Sequence, residues 1–150
     1  MKNNLFMNYD TVDKASHLRE GHILNHKDFD INKIKLTKIW QNKFSVKKIN
    51  ETNYDVIWCS GKEAYDLMLK SKSLIFLGVL KGFFYFSINI DDTDENVQSY
   101  YDLRTLNPLL NNSDLTFLTT AQGINYWHKK NIYCGICGSI SKSDDSGNSR

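Results

Sequence analysis

A chain of 150 residues can bury roughly 70% of the surface it exposes when unfolded, enough for one domain with a real core and a small appendage. With 41% hydrophobic, 13% aromatic and 24% charged residues, the composition excludes a disordered chain. Nineteen Lys and Arg against seventeen Asp and Glu leave a net charge of +2, which is not the concentrated positive field of non-specific nucleic-acid binders, so nucleic acid is not an expected partner.

The opening MKNNLFMNYD has no continuous apolar stretch and no small-residue cleavage site, so no secretory signal is expected and the cytoplasm is the expected compartment. Over residues 9–29, Val12, Ala15, Leu18 and Arg19 fall at near-helical spacing behind Asp10 or Thr11 as candidate caps, predicting a short turn or helix. Residues 34–40 and 44–49 carry β-branched and aromatic side chains in partial alternation. A turn at 50–53 and the run YDVIWC follow, for three short strands in all.

Ser60-Gly61-Lys62-Glu63 has the S-x-x-E form of a capping box, and Ala64, Leu67 and Met68 continue it as an apolar helix face that Ser71-Lys72-Ser73 ends. The strongest β signal is LIFLGVL, Lys81-Gly82, FFYFSINI. It predicts a hairpin, because glycine at the second loop position accepts the positive φ of a type I′ turn, and its near-continuous hydrophobicity predicts cover on both faces. Its apolar run over residues 74–80 is far shorter than the ~20 residues of a membrane span, and no membrane association is expected. Residues 91–99 are expected to form a polar, acidic surface loop and 100–103 an edge strand. Asn112 or Ser113 then caps a second helix with Phe117, Leu118, Ala121, Ile124, Asn125 and His128 on one side. The expected fold class is α+β: a small mixed or antiparallel sheet with two main helices over residues 1–131, and a separate, metal-stapled unit over residues 132–150.

Three cysteines are too few for a disulfide framework. Cys59 lies in an apolar run and reads as a small buried hydrophobe. Cys134 and Cys137 form a C-x-x-C flanked by Gly135 and Gly138. Two thiolates three residues apart can share one ion, and structural zinc takes four such ligands in a tetrahedron, so the motif supplies half a site. A redox pair would open a helix whose dipole favours the thiolate, whereas this motif follows one. The zinc knuckle is the favoured reading, with a redox pair and two inert thiols as alternatives. The four histidines, His17, His22, His26 and His128, lack metalloenzyme spacing; His128 beside Trp127 reads as packing and only secondarily as a ligand. No phosphate loop and no dinucleotide fingerprint occurs, and Asp91-Asp92 and Asp144-Asp145 read as solvated charge. The cluster His128-Lys129-Lys130 answers a helix C-terminus more simply than it binds a nucleic acid.

In order along the chain stand Asp13, Ala15, Ser16, Leu18 and Arg19; Phe76-Leu77-Gly78; Tyr85-Phe86; Asp102-Leu103-Arg104; Ala121; Trp127-His128; and Tyr133-Cys134-Gly135-Ile136-Cys137-Gly138. This pattern resembles the amino-terminal half of the NAD(H) diphosphatases of the Nudix hydrolase superfamily, over nearly the whole chain, and the block from Trp127-His128 to Gly138 is its most specific part. The resemblance implies a rudimentary Nudix-like domain over residues 1–131. It implies the first knuckle of a four-cysteine zinc ribbon over residues 132–150, with Cys134 and Cys137 as ligands. In the family a catalytic domain follows that uses Mg²⁺ or Mn²⁺ to hydrolyse the pyrophosphate of NADH or NAD to nicotinamide mononucleotide and AMP. The Nudix box, G-x5-E-x7-R-E-U-x-E-E-x-G-U, and a second cysteine pair do not occur in this sequence. The expectation is therefore a truncated, split or degenerate member with no catalytic residues of its own, inactive alone and supporting dimerisation and the ribbon. The alternative is a standalone homodimeric binding module that completes its zinc site across a two-fold axis.

Overall fold

A computed structural model describes residues 12–19, 23–91 and 99–150. Asp10 and Thr11 as caps, His22 and residues 92–98 of the acidic loop lie outside them.

The chain is α+β, built on a seven-stranded mixed sheet: β1 (Ile34–Trp40), β2 (Lys43–Asn50), β3 (Asn53–Val56), β4 (Cys59–Ser60), β5 (Ile75–Leu80), β6 (Phe83–Asn89) and β7 (Tyr100–Asp102). The main path runs β3-β2-β1-β6-β5, with β4 on β1 and β7 on β2. Among the described strands only β1 and β6 run parallel, in unbroken register from Ile34 opposite Phe84 to Ile39 opposite Asn89. Two of the three two-residue hairpin loops have positive φ at both central residues, as a type I′ turn requires: Lys81 and Gly82 at 51° and 78°, as expected, and Gln41 and Asn42 at 48° and 63°, whereas Glu51 and Thr52 between β2 and β3 do not.

The expected cover on both faces of the β5–β6 hairpin is present, because alternate residues of a strand point to opposite sides. Ile75 and Leu77 join Ile39, Phe44 and the helix α3 (Asn112–Lys130) residues Phe117, Leu118 and Ala121 in one core. Phe76, Phe84 and Phe86 join Ile34, Leu36 and the helix α1 (Gly61–Lys70) residues Ala64 and Met68 in the other. Tyr85 points to the α3 side and stacks on Phe117, ring centroids 4.0 Å apart and nearly parallel.

Three local expectations are corrected. Ser60 makes no side-chain cap on α1. It sits in β4 opposite Lys35 and its hydroxyl accepts from Lys35 Nζ at 3.1 Å, while Gly61 at φ 60° turns the chain into the helix. The run YDVIWC is two strands, β3 and β4, separated at Ile57-Trp58, where Trp58 Nε1 donates to Asp114 at 3.1 Å across to α3. Helix α3 is capped by Asn111, whose side chain accepts from Asp114 N, rather than by Asn112 or Ser113. Near the amino end the expected short turn or helix is present as 3-10 turns at Ser16–Leu18 and Ile23–Asn25, with Val12, Ala15, Leu18 and Ile23 buried. A one-turn helix, α2 (Leu103–Leu106), follows β7 and is capped by Asp102.

Two segments seal the hairpin edge. Asp13 pairs with Val79 through two backbone hydrogen bonds of 3.0 and 2.7 Å, in both directions. Gly78 lies against this bridge at φ 139°, where a Cβ would stand 2.5 Å from the Asp13 carbonyl. Residues 144–150 fold back over the start of β5. Asn148 Nδ2 donates to the Phe76 carbonyl at 3.0 Å, and the buried amide of Ile23 donates to Ser146 Oγ at 3.1 Å.

Candidate metal centre

Helix α3 stops at Asn131, whose backbone N–H and side-chain Nδ2 both donate to the Trp127 carbonyl, satisfying an end that would otherwise be orphaned. The chain then makes a narrow loop. Tyr133 bridges Ile140, Cys134 N donates to the Ser139 carbonyl at 2.8 Å, and Gly138 N donates to the Cys134 carbonyl at 2.9 Å with Gly138 at φ 70°. Ser141 ties the base, its amide donating to Ile132 O and its hydroxyl lying 3.1 Å from the carbonyls of both Asn131 and Ile132. This folding brings Cys134 and Cys137 to the same side of one turn.

Cys137 is exposed and Cys134 partly so. The Ser139 hydroxyl, 2.9 Å from Cys137 Sγ, pulls the Cys137 thiol below its ordinary range, aided by the Ser139 amide and then by the neighbouring Cys134 thiol. Each of these favours the thiolate, the form that binds metal. The arrangement fits two positions of a zinc tetrahedron, and zinc there would cross-link the loop rather than supply a nucleophile. Among the described residues no group of three His, Cys, Asp or Glu side chains converges.

His128 is committed elsewhere. Its Nε2 lies 2.6 Å from the Gly147 carbonyl and its Nδ1 lies 2.9 Å from Arg150 NH1. A carbonyl only accepts and a guanidinium only donates, so Nε2 carries the proton and Nδ1 offers its lone pair. Both nitrogens are thereby used in holding the C-terminal arm to α3. The expected packing of His128 on Trp127 is present as well, with ring centroids 4.8 Å apart. Cys59 is half-buried beside the α1 core, far from the other two cysteines in the fold's order of elements.

The two cysteines were evident from their spacing. The arm contacts of His128 and Arg150 were not, although one signal was present: Asn125 and His128 are polar residues on the apolar side of α3, where a polar group needs a specific partner. No family model matches the chain, and no curated protein matches it as a relative. Among the described residues, no helix is long and apolar enough to cross a membrane.

Proposed function

We propose that this chain is the non-catalytic, amino-terminal portion of an NAD(H) diphosphatase-type Nudix hydrolase. In this reading it carries the first half of a zinc ribbon, with Cys134 and Cys137 as ligands, and contributes to pairing of subunits. The observation that supports it is the Cys134–Cys137 turn, held at the end of α3 with one thiolate favoured, in the position along the chain that the resemblance assigns to the first zinc knuckle. Hydrolysis of the pyrophosphate would belong to a following domain with its own Mg²⁺ or Mn²⁺, since the glutamate-rich box does not occur in this sequence.

The test has two arms. Residues 1–150 alone should release no AMP from NADH with Mg²⁺ or Mn²⁺; turnover that is proportional to protein and lost on mutating its own residues would refute the assignment. The same chain extended by a segment with a second cysteine pair should bind zinc tightly, and Cys134→Ser or Cys137→Ser should abolish that binding.

A second reading, a standalone module that dimerises and shares zinc between copies, draws on the apolar side chains around the turn. Tyr126, Ile132, Tyr133, Ile136 and Ile140 are all exposed, Ile136 almost completely at 99%. A patch of this kind commonly marks an interaction surface. A dimer holding half a zinc per chain would favour this reading.

A further inference from the structure

We infer that Cys134 and Cys137 form a reversible dithiol–disulfide site, closed by a low-molecular-weight disulfide of the glutathione type and reopened by the matching thiol. The inference needs only the two thiols, so it does not rest on the diphosphatase reading. Where the two meet, a closed pair has no thiolate left to offer zinc.

The turn brings the two side chains within bonding reach. Gly138 N donates to the Cys134 carbonyl at 2.9 Å, a bond from i+4 to i that closes one helix-like turn over residues 135–137, none of which has a positive φ. Cα atoms three residues apart on such a turn stand about 5 Å from one another. That lies inside the roughly 4.4–6.8 Å that a disulfide spans. The two thiols already act on one another, Cys134 being a hydrogen-bond partner of Cys137.

The pair is also open to a small oxidant. Cys137 is exposed, Cys134 partly so, and Ile136 between them is 99% exposed. Cys59, by contrast, packs beside the α1 core. The loop is held at its base without a disulfide, by the Tyr133–Ile140 bridge and the bond from Cys134 N to the Ser139 carbonyl. Closing so short a ring removes little freedom from the unfolded chain, and an exposed disulfide of this kind is the reducible sort rather than the structural one.

The exchange has two steps. The Cys137 thiolate attacks one sulfur of the small disulfide; a Cys137 mixed disulfide forms, the small S–S bond breaks, and one small thiolate leaves and is protonated. The Cys134 thiolate then attacks Cys137 Sγ, the Cys134–Cys137 bond forms, and the second small thiol leaves. Two electrons and two protons pass from the pair to the two small thiols.

The experiment equilibrates the full 150-residue chain, with metal chelated, in mixtures of reduced and oxidised glutathione. Samples are quenched in acid, free thiols alkylated, and the peptides mapped by mass spectrometry. The wild-type chain should gain one Cys134–Cys137 disulfide with loss of two hydrogens, unaffected by dilution of the protein, and excess reduced glutathione should reverse it while Cys59 stays free throughout. Cys134→Ser, a change outside both cores, should lose the closed form and accumulate the mixed disulfide at Cys137. A wild-type chain that keeps both thiols free in oxidised glutathione, or stops at the mixed disulfide, would overturn the inference. So would pairing of Cys137 with Cys59 or with a second chain, or a closed pair that reduced glutathione does not reopen. Failure of the extended chain to bind zinc would refute the ribbon reading and leave this result standing, whereas failure to close here would leave that zinc measurement as it is.

Discussion

Asp114 is a carboxylate placed where a charge is poorly tolerated. Burial pushes its carboxyl above the ordinary value and Asp55 adds to the rise, while hydrogen bonds from Asn111 and Trp58 oppose it. A folded-state value above the unfolded one means that the folded chain holds the proton more tightly. Ionised Asp114 therefore opposes folding near neutrality, and that opposition is relieved as pH falls through the raised value towards the unfolded one. Asp114→Asn keeps an oxygen for Trp58 and removes the titration. In urea unfolding at falling pH, the wild-type chain should gain stability relative to this variant; a difference independent of pH would show that Asp114 is not held above its ordinary value. At Cys137 the Ser139 hydroxyl favours the thiolate in an exposed position. With metal chelated, iodoacetamide should modify Cys137 before Cys134 and Cys59, and Ser139→Ala should slow that reaction at neutral pH. Mass spectrometry of partially alkylated protein would check the order.

At the scale of elements, the β5–β6 hairpin and α3 were legible because their signals are local. The two-residue Lys81-Gly82 loop sets the turn, and Phe117, Leu118, Ala121 and Asn125 recur at helical spacing and are buried. Phe86 is fully buried between α1 and the sheet, so Phe86→Ala should cost about 3 to 5 kcal/mol in chemical denaturation. The cap of α1 was misread for a local reason too: Ser60 meets the capping pattern but is taken by pairing with Lys35, 25 residues away. The C-terminal arm carries no docking signal in its own residues, and the one hint, the polar His128 on the apolar side of α3, lies outside it. Its contacts join Asn148 to Phe76 and Ser146 to Ile23, across 72 and 123 residues, through backbone groups that carry no periodicity. Gly147 is its critical position. It has φ 85°, and a Cβ there would collide with the Leu74 carbonyl and come within 2.9 Å of Ile75 Cα. Gly147→Ala should therefore undock the arm, at a cost of roughly 1 to 2 kcal/mol for the left-handed backbone alone. Hydrogen exchange should quicken at the Ile23 amide while the amides of β1 and β6 stay protected.

For the whole molecule, the spacing of Cys134 and Cys137 was visible in sequence, whereas the docking of the C-terminal arm on His128 of α3 and on Phe76 of β5 exists only once the sheet and α3 are assembled. Zinc stoichiometry is the property that separates the functional readings, and it follows from counting donors. Two thiolates leave two tetrahedral positions to water or to another chain, and both His128 nitrogens are occupied. The 150-residue chain should therefore hold zinc far more weakly than a closed four-cysteine ribbon, and Cys59→Ser should leave its metal content unchanged. Metal analysis of the purified chain, paired with its mass in solution, checks this. Weak binding to a monomer supports the half-ribbon, and half a zinc per chain in a dimer supports sharing between copies. One tightly held zinc per monomer would contradict both, because it demands two further ligands from the same chain.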